Sequence, residues 1–93
     1  MVVGLLSLEL HLSGARSLKD KRMVLRSVKD RLRRLNVAVA ELEHQDRWQR
    51  AGLGVVTVAA SETLARRELE AAVDLVEQLE PGALARTEIE FLT

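Results

Sequence analysis

The chain of 93 residues contains no cysteine, no tyrosine, one tryptophan, one phenylalanine and one proline. Without cysteine there is no disulfide, no thiolate nucleophile and no cysteine-ligated zinc, and this absence fits a reducing cytoplasm. No apolar run approaches the roughly 20 residues that a membrane-spanning helix needs, and the N-terminus lacks the charged region of a signal peptide. We therefore expect a soluble cytoplasmic protein that has no membrane segment and binds no cofactor.

The length suits a single domain, residues 1–93, and the hydrophobic pattern divides it into six elements. Alternating or β-branched apolar residues predict strands over 2–12, 36–43, 51–60 and 85–92. Helical spacing predicts a helix from the capping Ser17 to Asn36 and a second from Ser61 to Glu80. The order β-α-β-β-α-β predicts an α+β ferredoxin-like fold, a four-stranded antiparallel sheet in the order 4-1-3-2 with both helices on one face.

The first predicted helix carries a row of cations with no acidic residue among them. Asp20 stands at capping-box spacing from Ser17, and one arc of the helix is apolar. On another side, five cations recur at intervals of three and four, which aligns them over about 21 Å. This basic row consists of Lys19, Arg22, Arg26, Lys29 and Arg33. Like charges at this spacing destabilise an isolated helix, so the row favours an anionic partner.

The formal net charge is zero, but the charges are unevenly placed. Residues 16–34 contain nine basic and two acidic side chains, a net charge of +7, and the remainder is correspondingly acidic. The basic row with Arg16 therefore predicts a phosphate-contact surface for RNA or DNA, and a solvated helix face is the alternative interpretation. The fold turns this row and the acidic row of the second helix toward opposite edges, so we expect no ion pairs between them. The acidic row consists of Glu70, Asp74 and Glu77.

The segment 44–50 connects the second and third strands and holds the only tryptophan. An exposed Trp48 flanked by Arg47 and Arg50 would stack on a base or anchor a partner. Alternatively, Trp48 covers one end of the core while Asp46 holds the loop through Asx-type hydrogen bonds, and the usual burial of tryptophan favours this second interpretation. The candidate contact residues of the loop are Gln45, Asp46, Arg47, Trp48 and Arg50.

Other kinds of site have less support. RNA-recognition domains stack bases on aromatic residues of the sheet, whereas the open face here is expected to carry Glu9, Glu88, Glu90 and one of Glu41 and Glu43. No GxxG loop, phosphate loop or HExxH pattern is present. We therefore assign no catalytic residue and no metal ligand, and we expect a protein that is not an enzyme.

The segments SLKDKRMVLRSVKDRL and NVAVAELEHQDRWQRAGLGVVTVA closely resemble the YlxP-like proteins, small bacterial proteins of unknown function. The resemblance covers nearly the whole chain and is strongest from Leu18 to Val58. It implies a ferredoxin-like domain. Genes of this family often lie beside those for translation initiation and ribosome maturation, which implies a role with RNA or the ribosome. No catalytic residue is established for the family.

Three hypotheses remain. The first is a small RNA- or ribosome-associated binding domain that uses the basic helix. The second is a protein-interaction or self-association module, in which the basic edge meets the acidic edge of another copy or a partner. The third is a small-ligand or catalytic domain, for which the sequence offers no nucleophile with a base and an orienting group.

Overall fold

The computed structural model describes residues 1–92 and contains the six elements in the predicted order. They are β1 (Val2–His11), α1 (Leu18–Leu32), β2 (Ala38–Glu43), β3 (Arg50–Ala59), α2 (Glu62–Leu79) and β4 (Leu84–Phe91). The strands form one antiparallel sheet in the order β2-β3-β1-β4. The predicted ferredoxin-like topology is therefore confirmed, with β2 and β4 at the edges.

Alternation along β1 separates the two faces of the sheet. Leu6, Leu8 and Leu10 are buried toward the helices, where they pack with Leu53 and Val55 of β3 in one hydrophobic core. Intervening residues of the strands face away from the helices and form the open face of the sheet. Because side chains alternate with a period of two, one apolar series per strand is enough to determine which face is buried.

A β-bulge near the end of β2 decides where its acidic residues point. Glu41 pairs with Leu53 and Glu43 with Gly52, so Leu42 is the extra residue. Glu41 consequently shares the helix side with Leu53, while Glu43 lies on the open face. A Cβ atom on Gly52 would stand 2.9 Å from the Cβ of Glu43, so the bulge requires glycine at this position.

Helix α1 begins as predicted but ends before Asn36. Ser17 Oγ accepts a hydrogen bond from the Asp20 N–H (3.1 Å), and Asp20 Oδ2 accepts one from the Arg16 N–H (3.0 Å) rather than from Ser17. The predicted end at Asn36 is wrong, because Asn36 is bound to β3. Its carbonyl accepts from Thr57 Oγ1 (2.7 Å) and its amide donates to the Val58 carbonyl (3.2 Å).

Helix α2 covers the same face of the sheet. Ser61 caps it by accepting a hydrogen bond from the Leu64 N–H (3.3 Å), and Ala65, Leu69 and Val76 are fully buried. The turn after α2 contains Gly82 with a positive φ of 78°, a conformation that glycine adopts without strain. Within residues 1–92, no helix is long and apolar enough to cross a membrane.

Candidate nucleic-acid interface

The basic row lies along a shallow groove between α1 and the β2 edge. Arg22, Arg26, Lys29 and Arg33 line this groove of about 400 Å³ together with Leu25, Asp30 and Glu41. Lys29 is half-buried, and the other members of the row are exposed, as is Arg16. Helix α1 contacts both α2 and β2, and four of the five members of the row still lie open to solvent.

Few intramolecular ion pairs neutralise the basic row. Among the described residues, Arg33 alone of the row makes an ion pair, with Asp30 at 3.4 Å, and both side chains are more than half exposed. No ion pair joins the row to Glu70, Asp74 or Glu77 anywhere in residues 1–92. This confirms that the two charged rows do not interlock.

Lys21 is a cation of α1 that the sequence interpretation missed. Its side chain is only 2% exposed and points under the helix rather than along the basic row. Lys21 Nζ lies 2.9 Å from Glu41 Oε2 and donates a hydrogen bond to the backbone carbonyl of His44. Glu41 Oε2 is itself buried, and this ion pair is its one polar contact within the described chain. The pair ties α1 to β2 and to the first residue of the following loop.

Two further hydrogen bonds fix the loop 44–50 against the connection between β1 and α1. Gln49 Nε2 donates to the Ala15 carbonyl (3.3 Å), and the Gln49 carbonyl accepts from the Leu12 N–H (2.8 Å). His44 has a positive φ of 60°, a conformation in which histidine is enriched among non-glycine residues. Consequently Arg16, which follows Ala15, lies at the same end of the molecule as the loop.

Trp48 is half exposed, and the prediction that it covers the core is wrong. Its neighbours Gln45, Asp46, Arg47 and Arg50 are exposed as well. Among residues 1–92, the Asp46 side chain makes no hydrogen bond that would hold the loop. Hydrogen bonds of Gln45, Gln49 and the buried Lys21 hold the loop instead. Tryptophan therefore borders a cleft that it shares with His11, Asp46, Arg47, Gln49 and Arg50.

Arg50 and His44 lie beside carboxylates at the base of the loop. Arg50 forms an ion pair with Glu9, and His44 Nε2 lies 3.5 Å from Glu9 Oε1 and 3.8 Å from Glu43 Oε2. On β4, Arg86 pairs with Glu88 at 3.2 Å. The open face thus carries Glu9, Glu43, Glu88 and Glu90 as expected, whereas Glu41, which precedes the bulge, lies on the helix side.

The described residues contain no group of three or more histidine, cysteine, aspartate or glutamate side chains that would hold a metal ion. The acidic residues of the open face lie beside Leu42, which is 60% exposed, and beside partnered arginines. Two of the clefts gather cations, namely the basic groove and the Trp48 cleft. These can bind phosphates and a planar ring, respectively.

Comparisons with known proteins agree with the fold. The solved structures that resemble the chain include a de novo designed protein, LFR1 1, with a ferredoxin fold (TM-score 0.60, 16% identity, covering 100% of this chain and 87% of that chain). Another is SnoaB from Streptomyces nogalater, a cofactor-independent oxygenase (TM-score 0.59, 14% identity, covering 100% and 93%). At such low identity these similarities concern the fold alone.

Sequence comparison gives the family. The model for a protein family of unknown function, DUF503, matches residues 3–89. The uncharacterized protein YlxP of Bacillus subtilis strain 168 is 33% identical over 91 residues, which are 94% of this chain and 98% of that protein. The chain therefore belongs to the DUF503 family, which includes proteins similar to YlxP and whose function is unknown.

Proposed function

We propose that this protein is a small RNA-binding domain that holds the phosphate backbone along the basic row of α1. The observation that supports it most strongly is the groove itself. Arg22, Arg26 and Lys29 line it without an acidic partner among the described residues. Cations held along one exposed edge attract a polyanion by releasing its counterions, and this attraction depends little on base sequence.

The charge distribution favours the helix side over the sheet. Glu41 is the one acidic residue that β2 contributes to the groove, and Lys21 neutralises it at 2.9 Å. The open face carries several glutamates, which would repel phosphates. RNA therefore follows the groove and the loop, a mode unlike that of domains that read bases on the sheet.

Cellular RNA, free or in the ribosome, is the partner that this surface fits. A contact that neutralises phosphates without reading base edges is positioned by shape and charge. Such a domain would act in the cytoplasm, in keeping with the absence of cysteine.

A second candidate function is self-association, and one observation favours it. Glu70 and Asp74 line a groove on the opposite edge, between α2 and β4, together with Val73, Thr87 and Ile89. The basic edge of one copy would therefore meet the acidic edge of another. Such a contact joins two different surfaces and forms open chains or rings rather than a closed two-fold dimer.

Ultraviolet crosslinking in cells, followed by sequencing of the bound RNA, tests the RNA proposal. We expect the wild-type protein to recover RNA and the double variant Arg22→Gln/Arg26→Gln to recover several-fold less, because two phosphate contacts are lost. The matched control is Arg67→Gln/Arg86→Gln, which removes the same charge from exposed positions outside the row. This control should recover as much RNA as the wild type.

Equal recovery by both double variants would contradict the proposal, and so would the absence of RNA in the wild-type sample. Sedimentation of the purified proteins addresses self-association separately. If wild type forms oligomers that Arg22→Gln/Arg26→Gln abolishes and no RNA is recovered, the edge-to-edge contact replaces RNA binding as the function of the row.

A further inference from the structure

Beyond the phosphate contacts, we infer that the Trp48 cleft is a base-stacking site that makes this surface selective for single-stranded RNA. The inference rests on the proposed function, since the cleft would capture a base of the same strand whose phosphates follow the basic row. It concerns the loop 44–50 rather than α1, and base stacking rather than phosphate contact, so a separate measurement tests it.

The cleft has the composition of a stacking platform. The Trp48 side chain is 50% exposed, although tryptophan is usually well buried. It borders a cavity of about 450 Å³ with His11, Arg47 and Arg50. Arg47 makes no ion pair within residues 1–92, so its guanidinium is available for a phosphate or for the face of a base. An exposed ring beside a free arginine offers every base a stacking surface without selecting its sequence.

The loop is held firmly enough to present the ring. Lys21 donates to the His44 carbonyl at one end, and Gln49 is bound to Leu12 and Ala15 at the other. Arg50 begins β3 and is paired with Glu9. With both ends anchored, the tip from Gln45 to Trp48 has little freedom to collapse onto the core, and less conformational entropy is lost when a base binds.

The position of the loop links it to the basic row. Ala15, which accepts the hydrogen bond from Gln49, precedes Arg16 in the chain, and Lys19 opens the row one turn later. A strand that follows the row from Arg33 toward the N-terminal end of α1 therefore reaches the end of the molecule that holds Trp48. The phosphates would contact the helix, and an unpaired base at that end would lie on the tryptophan.

This arrangement distinguishes single strands from duplexes. In a duplex each base is paired and stacked on its neighbours, so none is free to lie on Trp48. A single strand exposes its bases, and stacking on one aromatic ring changes affinity by about tenfold or more. Duplex RNA would gain only the phosphate contacts of the basic row.

The chain supplies its own reporter, because Trp48 is the only tryptophan and tyrosine is absent. We would titrate the full-length protein with an unstructured RNA of about 12 nucleotides, within the site sizes known for single-strand binders. Tryptophan fluorescence and RNA anisotropy would be recorded in the same titration. The same RNA in a duplex and inorganic polyphosphate serve as ligands that provide phosphates without an unpaired base.

We expect the single strand to quench Trp48 in parallel with binding, while the duplex and polyphosphate bind with no such quenching. Trp48→Leu should bind the single strand about tenfold more weakly than the wild type and bind the duplex equally well. Trp48→Phe should have an affinity for the single strand close to that of the wild type. Leu64→Ala, which truncates another exposed apolar side chain far from the loop, should match the wild type.

Two results would overturn the inference while leaving the proposed function in place. One is RNA binding that leaves Trp48 fluorescence unchanged, and the other is a Trp48→Leu variant that loses equal affinity for single strand and duplex. If no RNA of either form binds at low salt, the proposed function fails and the stacking site fails with it.

Discussion

At the scale of single residues, the position of Lys21 is the feature that matters most to the fold. It occupies an apolar position of α1, one turn before Leu25 on the buried arc, yet it carries a charge. Lysine is seldom buried unless it is paired, and here Glu41 and the His44 carbonyl supply the partners. The pairing lets a charged residue join the helix to the edge strand and to the loop 44–50.

We predict that Lys21→Met destabilises the protein by about 3 kcal/mol, which is the lower end of the losses found when one member of a buried ion pair is removed. The variant leaves the Glu41 carboxylate and the His44 carbonyl without their partner. The measurement is urea unfolding followed by circular dichroism.

The double variant Lys21→Met/Glu41→Leu should be more stable than Lys21→Met alone, because it replaces both charges with apolar groups. A double-mutant cycle with Glu41→Leu gives the coupling energy. If the double variant loses the sum of the two single losses, the two side chains act independently and the ion pair does not connect α1 to β2.

At the scale of the elements, the basic row lowers the stability of α1. Arg22 and Arg26 are four residues apart, and so are Lys29 and Arg33, so like charges face each other along the helix. The row also begins in the first turn, where the helix dipole disfavours cations. Core packing by Leu25, Val28 and Leu32 stabilises the helix despite this repulsion. A bound anion would offset this repulsion.

We therefore predict that Arg26→Gln raises the free energy of unfolding by a few tenths of a kcal/mol, since the repulsion that it removes from Arg22 and Lys29 exceeds the attraction that it removes from Asp30, whose carboxylate pairs with Arg33. The gain should shrink as salt screens the charges. Urea unfolding at low and high salt measures both effects.

Arg67→Gln on α2 is the matched control, because Arg67 stands three residues from the acidic Glu70 and attracts it. This variant should therefore be slightly less stable than the wild type. A loss of stability in Arg26→Gln at low salt would contradict this account of the row.

The sequence predicted the elements whose signals are local. Alternation along β1 and the serine caps of both helices predicted these elements, because each signal lies within a few neighbouring residues. The order of the elements and right-handed crossovers then predicted the topology. The features that the sequence did not predict depend on distant contacts. Asn36 does not extend α1, because β3 binds it. The loop that carries the exposed Trp48 is held by the β1–α1 connection and by Lys21.

The spacing of Lys21 along α1 indicates that it is buried. It follows Leu18 by three residues and precedes Leu25 by four, which places it on the apolar arc, and Glu41 continues the helix-facing series of Val39 on β2. Two opposite charges at buried positions of neighbouring elements predict an ion pair. Periodicity alone does not show that α1 and β2 are in contact, whereas the structure does.

At the scale of the whole molecule, the two edges differ in charge while the net charge is zero. The α1 and β2 edge gathers the basic row, and the α2 and β4 edge presents Glu70 and Asp74. Because the ion pairs of residues 1–92 lie within each edge or at the loop, neither edge cancels the other. The protein therefore presents a directional field that turns its basic side toward a polyanion.

The salt dependence of RNA affinity tests the central claim most directly. For a single strand, log K falls with log salt at a slope of about −0.7 per phosphate neutralised, so three to five engaged cations predict a slope of about −2 to −3.5. Arg22→Gln/Arg26→Gln should make the slope shallower by about 1.4, and Arg67→Gln/Arg86→Gln should leave it unchanged. Fluorescence anisotropy of a labelled RNA across a salt series gives all three slopes. An identical slope for the wild type and the Arg22→Gln/Arg26→Gln variant, or no binding at low salt, would contradict a role for the basic row in binding RNA.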